Sequence, residues 1–142
     1  YSKSLLTVNP KLQLFAIDTK TELDNAYYNK AKNRLAPFNA RIYKDTSMDA
    51  VKRFKNGSLD FVYINTFGDS KDAFDDIKEW SKKVRKGGIV SGYGYTNRSQ
   101  WGQRFGLKKV VDKWVNNNKI RPLIVFDNND TPTWFYVKEK SA

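Results

Sequence analysis

Short apolar runs rich in β-formers alternate with stretches of helical spacing along this chain, and that alternation narrows the fold more than any other feature. Residues 12–17 (Leu-Gln-Leu-Phe-Ala-Ile) read as a buried strand ending at Asp18-Thr19. Leu23, Ala26, Tyr27, Ala31 and Leu35 then fall close to one helical face, and Pro37 stops the pattern. Residues 41–44 make a short strand, followed by Asp45-Thr46-Ser47, where Thr46 or Ser47 suits a helix N-cap. That helix lines up Met48, Val51 and Phe54 and stops at Gly57. Residues 61–64 (Phe-Val-Tyr-Ile) are continuously apolar, the mark of a strand covered on both faces.

The second half continues the alternation. Ala73, Ile77, Trp80 and Val84 form one stripe over residues 72–85, Gly87-Gly88 is expected to end that helix, and Ile89-Val90 begins a strand. Residues 92–105 show no period and read as a loop. Leu107, Val110, Val111, Trp114 and Val115 give the strongest helical signal, ended by Asn116-Asn117-Asn118. Residues 123–126 and 134–137 are strands around an Asn128-Asn129-Asp130 turn, which predicts a hairpin. Residues 1–8 fit the tail of a helix. The expected order is therefore β-α-β-α-β-α-β-α-β-β: an α/β domain over 1–142 with a mostly parallel sheet and a C-terminal antiparallel hairpin. At 142 residues and 39% hydrophobic content, the chain suits one ordinary core and argues against wholesale disorder.

Composition removes whole chemistries. There is no Cys and no His, so disulfides, Cys/His metal sites and Ser-His or Cys-His nucleophile pairs are excluded. A metal would need oxygen ligands, and proton transfer would fall to Asp, Glu, Lys or Tyr. The 26 Lys+Arg against 15 Asp+Glu give a net charge of +11, which attracts anions without naming one. No apolar run reaches membrane-spanning length and no secretory leader is visible, so the expectation is a cytoplasmic protein without a membrane partner. Residue 1 is Tyr and the one Met is Met48, which suggests a processed chain or one that continues upstream.

In open α/β sheets, ligands bind beyond the carboxyl ends of the strands. That rule selects Asp18, then Asp45-Thr46-Ser47, then Asn65 to Asp69, then Gly92 to Tyr95. A strand-end carboxylate such as Asp18 has only acceptors and suits the two donors of a ribose diol, although turn and cap aspartates are common. Asp45 suits an adenine amino group with the Thr46 or Ser47 backbone N–H beside it, and helix capping explains it equally well.

Read in order, Leu59-Asp60-Phe61-Val62-Tyr63-Ile64-Asn65, then Asp76-Ile77 and Trp80, then Gly87-Gly88-Ile89-Val90-Ser91-Gly92-Tyr93-Gly94-Tyr95 resemble the class I S-adenosylmethionine-dependent methyltransferases. The branch they resemble most is the O-methyltransferase-like methyltransferase family 24. Phe15-Ala16-Ile17-Asp18 is similar to the family's second strand with its ribose-binding acid. Residues 106–112 resemble its following helix, and residues 133–138 its closing strand. The resemblance implies a Rossmann-like sheet that lacks the family's first strand and glycine-rich loop, which would lie upstream of Tyr1. It implies S-adenosylmethionine as cofactor, with Asp18, Thr19, Asp45, Thr46, Ser47 and Asn65 as its contacts.

The departures from the family pattern fall at the chemistry. Asn65-Thr66-Phe67 stands where the family often has an Ile-Asp-Gly, its expected His falls at Gly68, and Tyr93-Gly94-Tyr95 replaces a His-Asp-Tyr. One carboxylate is a poor hard-cation site, so no catalytic metal is expected. Candidate bases are Tyr93, at the family's His position, with Asp69 and Tyr95 behind it. A packing or lid role explains Tyr93 equally well, and Tyr95, Arg98, Trp101 and Arg104 make the 92–105 loop a candidate substrate lid. The implied reaction is O-methylation of a small molecule. The rivals are a degenerate, non-catalytic binding module of the same fold, a nucleic-acid methyltransferase supported by charge alone, and a nicotinamide binder that would also use Asp18. The residues do not reveal the acceptor or the oligomeric state. If the first strand is missing, the strands at 12–17 and 61–64 lose a shared neighbour; direct pairing of the two would remove that expectation.

Overall fold

A computed structural model describes residues 1–18, 25–66, 70–97, 107–127 and 132–139. The chain forms two compact units, Tyr1–Lys52 and Arg53–Ala142.

In the first unit, helix α1 (Ser2–Val8) precedes strand β1 (Leu14–Asp18), helix α2 (Asn25–Leu35), strand β2 (Ala40–Lys44) and the short helix α3 (Ser47–Ala50). β1 and β2 pair in parallel from Leu14 opposite Ala40 to Asp18 opposite Lys44. This is the strand–crossover–strand arrangement that a helix between parallel strands requires. Leu6, Leu35, Ala50 and Val51 are buried, and the Phe15 and Tyr43 rings stack at 6.2 Å. Two expectations are corrected. Tyr27 is 72% exposed, and the half-buried Tyr28 packs instead, with the Lys44 ammonium 5.2 Å from its ring centre. The helix expected to run from Ser47 to Gly57 tightens after Ala50 into a 3-10 turn over Val51–Arg53.

The second unit holds β3 (Leu59–Ile64), α4 (Ser70–Lys83), β4 (Val84–Tyr93), α5 (Lys108–Asn117), β5 (Ile124–Phe126) and β6 (Thr133–Val137). Its sheet runs β3-β4-β6-β5, with β3 and β4 parallel and β6 antiparallel to both of its neighbours. The expected hairpin is therefore present, and its second strand lies inside the sheet. Among the described residues β1 pairs with β2 and β3 pairs with β4; no ladder joins β1 to β3.

Strand pleating sorts this sheet into two faces. Val62, Ile64, Val90, Gly92, Trp134 and Tyr136 share one face by register. It packs on α4 and α5, whose Ala73, Ile77, Trp80, Val110, Val111 and Val115 are buried. Trp114 Nε1 donates to the Tyr136 hydroxyl at 2.9 Å across that layer. Burial pushes the Tyr136 phenol up to about 12, against hydrogen bonds with Trp114 and Ser81.

The Gly87-Gly88 pair does not end α4, as its sequence suggested. α4 stops at Lys83, and both glycines lie inside β4. Lys138 Nζ donates to the carbonyls of Ser81 at 2.8 Å and Val84 at 2.7 Å, giving the last turn of α4 a cation and its open acceptors a donor. β4 then bulges, since its register with β3 jumps from Leu59–Val84 to Phe61–Ile89. Gly87 takes φ +77°, and a Cβ on Gly88 would lie 2.7 Å from the Asp60 carbonyl, so the bulge needs both glycines. β4 also runs on to Tyr93, two residues into the segment expected to be a loop.

Candidate functional site

Each unit brings its candidates to the carboxyl ends of its parallel strands. In the first unit, Asp18 is the last residue of β1 and is exposed. Asp45 follows β2, the adjacent parallel strand, and is half-buried. The two carboxylates thus share one end of one ladder. Thr46, rather than Ser47, is the N-cap. Its Oγ1 accepts from the Asp49 N–H at 3.2 Å and donates to Asp49 Oδ2 at 2.9 Å. The Thr46 side chain is thereby engaged in holding the turn after β2. Thr19 lies outside the described residues.

In the second unit, Asn65 directly follows β3 and is exposed, and Tyr93 ends the neighbouring β4. The register of Ile64 with Gly92 places these two candidates at the same sheet end. Asp69 and the lid candidates Arg98, Trp101 and Arg104 lie outside the described residues. Tyr93 is half-buried and pairs with Thr133 on β6. The Tyr63 phenol, on the same face by alternation, hydrogen-bonds the Thr133 side chain. Burial raises the Tyr63 phenol above its ordinary value, the Thr133 bond pulls it back, and nearby Tyr93 adds to the rise. Tyr63 and Thr133 were not singled out from sequence. Tyr63 is two residues before Asn65 and so on a readable parity, but the placement of Thr133 depends on β6 entering the sheet beside β4.

The chain leaves β4 through a tightly bonded turn. Gly94 takes φ +88°, which glycine permits without strain. The N–H groups of Gly94 and Tyr95 both donate to the Pro132 carbonyl, at 3.1 and 3.0 Å. Tyr95 then donates its phenolic proton to Asp112 Oδ1 at 2.6 Å, and Lys108 Nζ donates to Asp112 Oδ2 at 2.6 Å. Lys108 also sits 5.0 Å from the Tyr95 ring centre. Burial raises the Tyr95 phenol and its bond to Asp112 raises it further. The Asp112 bond raises the Lys108 ammonium. Partial burial pulls the Asp112 carboxyl up, and the bonds from Lys108 and Tyr95 outweigh it, so the carboxyl sits below its ordinary range. Tyr95 therefore serves as a donor that anchors the turn on α5, which makes it a poor proton acceptor and leaves Tyr93 as the described candidate.

A glycine is also required one step earlier. A Cβ on Gly92 would meet Trp134 Cζ2 at 2.6 Å and the Ile64 carbonyl at 2.8 Å. The indole of the fully buried Trp134 thus lies against the strand backbone just before Tyr93. Among the described residues no group of three or more Asp or Glu side chains gathers into a cation site, and no helix is long and apolar enough to cross a membrane.

A family model described as a methyltransferase domain, that of methyltransferase family 24, matches residues 4–92. The chain belongs to methyltransferase family 24. The matched stretch contains Asp18, Asp45 and Asn65 and stops one residue before Tyr93. No curated protein matches the sequence. Among solved structures, an O-methyltransferase family protein from Burkholderia thailandensis superposes with TM-score 0.69 at 16% identity, over 100% of this chain and 48% of that one. A precorrin-6y C5,15-methyltransferase from Geobacter metallireducens gives 0.69 at 11% identity, over 98% of this chain and 73% of that one. The S-adenosylmethionine-dependent methyltransferase SibL gives 0.67 at 11% identity, over 98% and 47%. These likenesses support the Rossmann-like methyltransferase fold. The chain spans about half the length of the first and third of these structures.

Proposed function

We propose that this methyltransferase-family chain binds S-adenosylmethionine and transfers its methyl group to an oxygen of a small molecule. The observation that carries the reading is the family match over residues 4–92, with Asp18 exposed at the carboxyl end of β1. The residues present fit the cofactor. Asp18 offers acceptors to the ribose hydroxyls, with Thr19 beside it. Asp45 and the backbone at Thr46 and Ser47 offer an acceptor and donors to the adenine edge, and Asn65, just past β3 in the second unit, offers an amide. When bound, the sulfonium supplies an already activated methyl group. The protein's part is then to hold the acceptor oxygen in line with it, and positioning of this kind contributes about 7–11 kcal/mol. Tyr93 Oη orients the acceptor hydroxyl and, in its phenolate form, takes the proton that this hydroxyl gives up as its oxygen bonds to the methyl group, with the Tyr63–Thr133 pair packed beside it.

Calorimetric titration with S-adenosylmethionine and S-adenosylhomocysteine tests the reading. Both should bind, and Asp18→Ala should weaken both by about tenfold or more, the loss of a charge-assisted hydrogen bond. Tyr93→Phe should lower turnover and leave cofactor affinity intact. Absence of binding would overturn the cofactor reading, and binding insensitive to Asp18→Ala would overturn the ribose assignment.

A second reading, a cofactor-binding module without transfer, draws support from Tyr95. It stands at the end of the family's His-Asp-Tyr motif, yet its proton is committed to Asp112. Cofactor binding with a Tyr93→Phe variant as active as the parent would favour it.

A further inference from the structure

A basic surface lies at the amino ends of β3 and β4, opposite the strand ends that carry Asn65 and Tyr93. The loop before β3 closes onto the end of α4. The Gly57 N–H donates to the Lys82 carbonyl at 3.0 Å, and Lys83 Nζ donates to Asn56 Oδ1 at 3.0 Å. Residues 53–60 and 78–86 thereby share one surface, with seven Lys or Arg against two carboxylates. Both carboxylates are already paired, Asp60 with Arg85 at 2.6 Å and Glu79 with Lys82 at 2.7 Å. The Lys83 bond goes to a neutral amide and leaves its charge standing. Among the described residues no carboxylate pairs with Lys55, Lys78, Lys83 or Lys86. The negative end of the α4 dipole accounts for Lys82 and Lys83, but Lys55 and Lys86 lie outside that helix.

The groups around these charges select the partner. Asn56, Gly57 and Ser58 are exposed beside Lys55. Phe54 turns inward onto Trp80, with ring centres 5.5 Å apart. Within residues 53–60 and 78–86 no large apolar side chain is exposed. A membrane-surface site sinks apolar side chains into the headgroup boundary. Protein interfaces are enriched in aromatic side chains and poor in Lys. Single-stranded nucleic acid is held by stacking on aromatic rings. This surface offers none of those groups. A duplex backbone needs cations and hydrogen-bond donors alone.

We infer that this surface docks the phosphate backbone of a nucleic-acid duplex through Lys55, Lys78, Lys83 and Lys86, without reading its bases. The duplex holds the chain at one end of β3 and leaves the candidate transfer site free at the other, about 20 Å away by the rise of a six-residue strand. The docking does not depend on cofactor binding.

Fluorescence anisotropy of a short labelled DNA duplex of arbitrary sequence, titrated with the purified chain at several salt concentrations, tests this. Four phosphate contacts give a log–log slope of about −3 to −4, which is about a hundredfold loss of affinity between about 50 and 200 mM salt. The triple variant Lys55→Gln, Lys78→Gln, Lys86→Gln should flatten that slope by about 3. Lys109→Gln with Lys113→Gln and Lys119→Gln removes the same charge from exposed positions on and just after α5, and should leave the slope close to the parent's. Far-UV spectra and thermal melts check that both triple variants fold as the parent does. Absence of duplex binding at low salt overturns the inference. Equal losses in the two triple variants overturn it too, since binding would then follow net charge and not this surface. Binding to phosphatidylserine vesicles or to single strands with the duplex left unbound gives the surface to another partner and overturns it equally.

Discussion

Tyr95 and Asp112 are joined by a 2.6 Å hydrogen bond that ties the turn after β4 to the first half of α5. Lys108 completes the group from the opposite oxygen. Tyr95→Phe should lower stability by about 1 kcal/mol, and Asp112→Asn by more, since it leaves Lys108 without its counter-charge. The Asp112 carboxyl sits below its ordinary range in the fold. Its contribution is therefore complete above its unfolded value near pH 4 and is lost as pH falls through the folded value. Urea midpoints measured from pH 6 downward should fall more steeply for the parent than for Asp112→Asn; equal slopes would remove the pair from the acid response.

Tyr136 gives the opposite limb. Its phenol is pushed up to about 12 by burial. A raised value favours the protonated form in the fold, so the contribution is complete below the unfolded value near 10 and is lost as pH rises toward 12. Over that interval the parent should lose about 2–3 kcal/mol that Tyr136→Phe does not. At neutral pH, Tyr136→Phe should be less stable by about 1–3 kcal/mol, because Trp114 Nε1 loses its acceptor. Thermal melts at neutral and alkaline pH check both statements.

Gly92 and Gly94 should respond to alanine for different reasons. At Gly92 the added carbon lands 2.6 Å from the Trp134 ring, and overpacking of that kind costs about 1–3 kcal/mol. At Gly94 the nearest atom is 3.4 Å away, but φ is +88°, and the strain costs about 1–2 kcal/mol. Trimming the facing ring with Trp134→Leu should reduce the added penalty of Gly92→Ala and leave that of Gly94→Ala unchanged. A double-mutant cycle reads this coupling.

Lys138 holds the end of α4 through the Ser81 and Val84 carbonyls. Lys138→Met keeps the stem and removes the donors, so it should destabilise by about 1–3 kcal/mol. Amide exchange should quicken first in the last turn of α4, ahead of α5. Uniform quickening of both helices would contradict the capping role.

The strand ends that carry the candidate residues are legible in the sequence. Asp18, Asp45, Asn65 and Tyr93 stand at or just past the ends of β1 to β4, because an apolar run that stops at a polar residue marks where a strand leaves the sheet. The glycines were misleading. Gly87-Gly88 looks like a helix stop, and the stop lies at Lys83, because Lys138, just past β6, caps the helix and the bulge against Asp60 requires the glycines. Tyr95 looked like a base until its partner on α5 was visible.

Sequence periodicity alone settled the alternation of strands and helices, the antiparallel hairpin and the residues offered at the strand ends, since each depends on neighbours within one or two turns of chain. Tertiary structure alone decided that β6 lies inside the sheet, that Thr133 meets Tyr63, that Asp112 accepts the Tyr95 hydrogen bond, and that β5 is the outer strand among the described residues. Those outcomes depend on which strands pair and which side chains meet across a packed layer, and no local pattern encodes a contact between residues that are distant in sequence.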